Sequence, residues 1–294
     1  MNRLREWGAF IFLGGFAWGT SFLWIKVGVQ EIGPFTLVSY RLGFGIAVIW
    51  LLLWLQRSRV HFNRRQLWKM AFVGISNTAI PFVLISWSET RISSGLAGIL
   101  NGTAPLFTII IAHLFLHDER IKLSRLVGLV VGFMGLTLLL TKDIRSVGLQ
   151  GNLLGQLATL LAAILYAGSS VYVRRYLKEE SPILIAVIVM TSAWVATVVL
   201  ALIIERPFVV PRLPMTWIAV AWLGVIGTAL AYQIYFYLIK TWGPTRSILV
   251  TYVFPVVAVI LGVLFLREAL HWRLILGSAF IIGGIAAVNY WKDE

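Results

Sequence analysis

The 294 residues are 59% hydrophobic and only 13% charged, about half the charged share of an ordinary soluble domain, which excludes a soluble enzyme core and a disordered chain alike. The formal charge of +13 is split into short basic patches between long apolar runs, so it argues against a nucleic-acid partner, which would need one continuous basic stripe. With no cysteine and four scattered histidines, the chain offers no disulfide and no ligand spacing for a metal or other cofactor.

A helix needs about 20 apolar residues to cross a bilayer core, and ten such stretches follow one another along the chain. The first, Ala9 to Val29, carries Trp18 and Ser21, with Lys26 toward its far end. Its length and the lack of an A-x-A cleavage site read as a retained helix rather than a secretion signal. The second, Phe35 to Leu55, holds Arg41, and the third, Trp68 to Ser88, holds Asn77 and Thr78 and runs directly into Glu89. Asn101, Thr103 and Pro105 lie in the fourth, Ile92 to Leu116; the fifth, Leu123 to Thr141, has the close glycine pair Gly128 and Gly132. Tyr166, Ser169 and Ser170 sit in the sixth, Leu153 to Val173, and Trp194 in the seventh, Ile183 to Ile204. The eighth, Trp217 to Ile239, carries Tyr232 and Gln233. The ninth, Ser247 to Leu266, carries Thr251, Tyr252 and Pro255, and Trp272 to Tyr290 is the tenth. The short connections leave no room for a soluble domain, so the lipid bilayer is the chain's main partner.

With the amino terminus inside, the inner segments hold 16 Lys and Arg and the outer ones 7, Lys26 and Arg41 completing the 25 from within spans. That bias predicts an inner-membrane protein with both termini cytoplasmic. Shifting the chain by 148 to 150 residues lays Trp18 on Tyr166, Ser21 on Ser169, Pro34 on Pro182, Gly74 on Gly224, Thr78 on Thr228, Asn101 on Thr251, Pro105 on Pro255, Glu119 on Glu268 and Gly128 on Gly277. The chain then divides into 1–145 and 146–294, each with five spans, and the odd number inverts the second copy in the membrane. The predicted fold class is an all-α membrane protein: ten transmembrane helices, as two inverted five-helix repeats around a central cavity that opens alternately to each side.

Polar groups at mid-membrane are costly unless paired or wetted. Trp18, Ser21, Asn77, Asn101, Tyr166, Ser169, Tyr232, Gln233 and Thr251 recur on matching spans and are the candidate substrate-binding residues. A lone Ser or Thr more often bonds its own helix carbonyl, whereas the amides of Asn77, Asn101 and Gln233 have too many polar atoms to hide cheaply. Lys26, Arg41 and Glu89, with Glu31 in the adjoining loop, fall at one depth near the outer face; they are expected to pair as a structural tie or outer gate. Arg41 is the member able to hold a carboxylate bidentately. Pro105 and Pro255 are candidate hinges. No Asp lies in a span and no carboxylate at mid-membrane, which favours a facilitator or exchanger over proton coupling.

Trp18-Gly19 followed by Lys26, Pro34 and Arg41, then Ala104-Pro105 through Phe115-Leu116, Glu119, Gly128 and Gly135, resemble the EamA-type domain of the drug/metabolite transporter superfamily. The second copy runs from Pro255 through Phe265-Leu266, Glu268, Gly277 and Gly284, with Val189 near the place of Arg41. The resemblance implies a ten-helix exporter of amino acids, nucleosides or other metabolites. An aromatic, hydroxyl- and amide-lined cavity without central charge suits aromatic or large neutral amino acids. Proton-coupled export of nucleosides or drug-like compounds is the alternative. From another class come a membrane-embedded enzyme, for which the chain lacks a nucleophile–base or carboxylate–His cluster, and a lipid-handling protein. A monomer or weak dimer, not an enzyme, is expected.

Overall fold

The computed structural model describes residues 3–55, 64–92, 94–119, 121–147, 153–205, 209–253 and 272–290, and among them no strand occurs. Helices α1 (Arg3–Ile11) and α2 (Ser21–Gly28) are linked by a π-helical stretch, Phe12–Trp18, and α3 spans Pro34–Leu55. A second π-helical stretch, Gly74–Ala79, joins α4 (Arg64–Val73) to α5 (Ile80–Glu89). Then come α6 (Ser94–Asn101), α7 (Ala104–Phe115), α8 (Leu123–Val147), α9 (Leu153–Tyr176) and α10 (Pro182–Ile204). A third π-helical stretch, Val225–Leu230, links α11 (Pro214–Gly224) to α12 (Ala231–Trp242). The short α13 (Pro244–Ser247) leads into a 3₁₀ turn, Ile248–Tyr252, and α14 spans Trp272–Tyr290.

Among the described residues six continuous runs are long and apolar enough to cross a membrane: Leu4–Gly28, Pro34–Leu55, Gln66–Glu89, Leu153–Tyr176, Pro182–Ile204 and Pro214–Trp242. They coincide with the expected first, second, third, sixth, seventh and eighth spans. Shorter apolar helical stretches, Ala104–Phe115, Arg125–Leu138 and Ile275–Val288, fall in the fourth, fifth and tenth. Beyond Val253 the expected ninth span, Pro255 included, lies outside the described residues.

The expected fourth span is two helices rather than one kinked one. Gly102 and Thr103 form a turn between α6 and α7, where Gly is a poor helix former and Pro105 has no N–H to return to the Asn101 carbonyl. Proline also opens α3, α10, α11 and α13 at Pro34, Pro182, Pro214 and Pro244, positions whose N–H has no intrahelical partner in any case. At α10 the Ser181 side chain completes the cap, accepting from the Leu184 N–H at 3.2 Å.

Helix α3 packs on α10 and α11, while α5 and α7 lie against α9. Helix α8 runs along α14, and the approach is backbone to backbone. A Cβ built on Gly128 would stand 2.7 Å from the Gly284 carbonyl, and one on Gly135 2.6 Å from that of Gly277. The pairing of Gly128 with Gly284 and Gly135 with Gly277 makes the two helices antiparallel. Large apolar side chains left exposed, among them Leu23, Trp54, Leu114, Leu157 and Ile203, are the surface that hydrocarbon solvates.

Candidate functional site

One cavity of about 70 Å³ is lined by Trp18 of the first π-helical stretch and Asn77 of the second, while Arg41 on its wall bonds to the third. A π-helical turn shifts the backbone hydrogen-bond pattern and leaves carbonyls for side chains to find. The Gly227 carbonyl accepts two such bonds, from Trp18 Nε1 at 3.0 Å and from Arg41 Nη2 at 3.2 Å. Arg41 Nε donates to Thr228 Oγ1 at 2.8 Å, and the Thr228 hydroxyl in turn donates to the Leu223 carbonyl at 2.8 Å. The guanidinium lies over the Phe82 ring, 3.7 Å from its centroid.

Elsewhere on the lining the Tyr232 hydroxyl ties α12 to the second π-helical segment. It lies 3.0 Å from Thr78 Oγ1, accepts from Asn77 Nδ2 at 3.4 Å and donates to the Asn77 carbonyl at 3.3 Å. Pro81, four residues on, has no N–H to offer that carbonyl. Trp18 meets Tyr235 edge-on at 5.0 Å, and Phe82 meets Tyr232 at 6.1 Å, so the walls are aromatic with a few oriented polar groups.

Trp18, Ser21, Asn77, Asn101, Tyr166, Tyr232 and Thr251 all line this cavity. Ser21 and Thr251 bond to carbonyls of their own helical segments, Ala17 at 3.0 Å and Ile248 at 3.0 Å. Ser169 and Gln233 lie off it. Ser169 pairs with Ser76 at 2.9 Å, holding α9 to the second π-helical stretch. Gln233, beside inward-facing Tyr232, points away and donates to the Ala229 carbonyl at 3.2 Å. Pro105 lies in the first turn of α7, beyond the turn that follows Asn101.

The charged residues do not form the expected four-charge cluster. Lys26 Nζ donates to the backbone carbonyl of Glu89 at 2.5 Å, tying α2 to α5. Glu31 instead accepts from the backbone N–H groups of Arg212 and Leu213 at the start of α11. A hydrogen bond from the Thr216 side chain, helped by those two backbone donors, holds the Glu31 carboxyl below its ordinary pKa. Arg41 turns away from them and lines the cavity, only 3% exposed. No carboxylate pairs with it among the described residues. Among the described residues the lining thus carries one fixed positive charge, where the sequence alone placed none. The reason is geometric: α3 is apolar all round, so nothing in its sequence tells which neighbour Arg41 faces.

Sequence reasoning missed Phe82, Tyr235, Phe22, Ile25, Ile85 and Ile248, which complete the lining. Tyr235 lies one turn from Tyr232 and Ile85 one turn from Phe82, so helical spacing was the available signal. At the opposite end of the helices Arg125 pairs with Glu119 at 2.9 Å, and Arg174 with Asp118 at 2.8 Å. Arg174 also donates to the Lys240 carbonyl at 2.6 Å, joining the α7–α8 turn to α9 and α12. Among the described residues no three His, Asp or Glu side chains form a group able to hold a metal.

The sequence profile of the EamA-like transporter family matches residues 6–141 and again 153–290. The chain belongs to this family, and is a multi-pass membrane transporter. It is 30% identical over 250 residues to the uncharacterized inner membrane transporter YedA of Escherichia coli K12, covering 83% of this chain and 78% of that one. With the uncharacterized transporter YoaV of Bacillus subtilis it shares 25% over 274 residues, 91% of each chain. A solved crystal structure with 22% identity superposes with a TM-score of 0.77 over 95% of both chains. That likeness shows the fold.

Proposed function

We propose that the protein exports small metabolites across the inner membrane by alternating access, with aromatic or large neutral amino acids as cargo and both termini cytoplasmic. The observation that carries this reading is the cavity itself: rings on its walls supply apolar contact, while Asn77, Asn101 and Arg41 are polar groups able to orient a bound molecule. Ten spans arranged as inverted repeats, 1–145 and 146–294, give the cavity its two exits.

Crossed contacts support that repeat. Gly128 corresponds in sequence to Gly277, and Gly135 to Gly284, yet each packs on the other's counterpart across antiparallel helices. A Cβ on Gly74 would press on the Val189 carbonyl, and one on Gly224 on the Arg41 carbonyl; Gly74 corresponds to Gly224 and Arg41 to Val189. Such reciprocal pairing is what a two-fold axis generates. The π-helical stretches Gly74–Ala79 and Val225–Leu230 also occupy equivalent places.

Facilitated export or exchange is favoured because no acidic side chain among the described residues lines the cavity, so none of them places a carboxylate there to carry a proton. Counterflow into proteoliposomes containing only this protein tests the proposal, with labelled amino acids and nucleosides at zero and imposed pH gradients. Exchange of phenylalanine or leucine without a gradient is expected. Failure of every amino acid overturns the cargo class, and accumulation driven by the pH gradient alone overturns the facilitative mechanism.

A further inference from the structure

We infer that the cavity holds both charged ends of a zwitterion, the Arg41 guanidinium taking a carboxylate and the amide oxygens of Asn77 and Asn101 taking an ammonium group. The inference rests on the amino-acid cargo proposed above and assigns its two ends to atoms.

Arg41 has five N–H donors, and the described residues accept from two of them, Nε to Thr228 Oγ1 and Nη2 to the Gly227 carbonyl. Those bonds and the Phe82 ring fix the plane of the fork, and the remaining hydrogens sit on a residue that lines the cavity. A buried guanidinium without a counter-charge is costly, and a carboxylate is the acceptor whose two oxygens match its geometry. The repeat-related position is Val189, so this anchor occurs on one side of the cavity only.

The amides offer the opposite chemistry. Asn77 and Asn101 are 2% and 6% exposed, both line the cavity, and the Oδ1 of each accepts no hydrogen bond from any described residue. A buried acceptor left without a donor costs free energy. Rotation about the soft terminal torsion of asparagine turns that oxygen toward a donor in the cavity, and an ammonium group brings three N–H bonds. A monocarboxylate would leave the amide oxygens without a donor, and an amine would leave the guanidinium without an acceptor. An α-amino acid uses both sets, with its side chain against the aromatic wall.

The test uses full-length protein in detergent and reads ligand-induced stabilisation against unfolding, which does not require a variant to transport. Phenylalanine, 3-phenylpropanoate, which lacks the ammonium group, and phenethylamine, which lacks the carboxylate, are titrated in parallel. In Arg41→Gln the apparent affinity for phenylpropanoate relative to phenethylamine should fall about tenfold or more, the scale of a lost charge-assisted bond. Asn77→Leu combined with Asn101→Leu should move that ratio the other way. Arg41→Lys keeps the charge without the fork and should fall between wild type and Arg41→Gln; it serves as the deciding variant if Arg41→Gln does not fold. An unchanged ratio in the Arg41 variant tested, or in the double asparagine variant, overturns the clamp. Wild type that gives phenylalanine counterflow while its variants keep that ratio refutes the clamp alone, whereas wild type without amino-acid counterflow refutes the cargo class.

Discussion

Gly224→Ala is a single methyl added where α11 touches α3, directly behind Arg41. The new Cβ would stand 2.5 Å from both the Arg41 carbonyl and the Phe44 Cβ, and 3.0 Å from the Gly45 nitrogen. Ordinary contact begins at 3.4 Å, so the segment must retreat by about 0.9 Å, and backbone rather than a flexible side chain blocks the alternative. Gly227 and Thr228 belong to the same segment, and their bonds to Arg41 are 3.2 and 2.8 Å long. A retreat of that size directed along the bonds would stretch both past the 3.5 Å limit of a hydrogen bond. Overpacking costs about 1–3 kcal/mol, and two bonds to a charged group about 1.5–3 kcal/mol each. The better helix propensity of Ala returns about 1 kcal/mol. The expected net loss is about 3 kcal/mol or more, read as equilibrium unfolding in detergent against wild type. Gly168→Ala on α9 is the control, since its Cβ meets nothing within 4 Å; it should be neutral or slightly stabilising. If the two variants unfold alike, backbone contact at Gly224 is not what seats Arg41.

Other perturbations probe the supports around the cavity. Tyr232→Phe removes the hydroxyl that bridges Thr78 and Asn77 and should cost about 1–3 kcal/mol in the same unfolding assay. Glu205 caps α3 from the end of α10, accepting from the Phe35 and Thr36 N–H groups at 3.0 and 2.8 Å. Glu205→Gln should weaken that cap by about 1 kcal/mol, seen as faster hydrogen exchange at those two amides. Burial raises the Glu119 carboxyl above its ordinary 4.5, with Arg125 opposing the shift. The folded chain therefore holds that proton more tightly than the unfolded one, and this contribution is lost as pH climbs from 4.5 through the raised value. Measured over that window, the stability of Glu119→Gln relative to wild type should increase with pH; a flat difference contradicts the burial of that carboxyl.

Most of the cavity was legible because polar and amphipathic side chains inside apolar helices have few reasons to be there. Trp18, Asn77, Asn101, Tyr166 and Tyr232 stood out on that ground, and all five line it. Phe82 and Ile85 did not, since an aromatic or aliphatic residue facing a cavity looks the same in sequence as one facing lipid. Gln233 carried the same amide signal as Asn77 but is satisfied by the Ala229 carbonyl of its own segment, a partner that residue type alone cannot reveal. Arg41 was singled out and given the wrong neighbours, because its partners Gly227 and Thr228 belong to a segment more than 180 residues away. The break at Gly102 and Thr103 was masked by a continuous apolar run in which hydrophobicity outweighed one glycine.

The central claim, that one cavity is reached from both sides of the membrane, is tested most directly by single-cysteine accessibility. The native chain has no cysteine, so Ser21→Cys introduces the sole thiol, on the cavity wall. In oriented vesicles a membrane-impermeant maleimide should label it from the outside and, in inverted vesicles, from the inside, with phenylalanine slowing both reactions. Labelling from one side only, whatever cargo is added, would contradict alternating access.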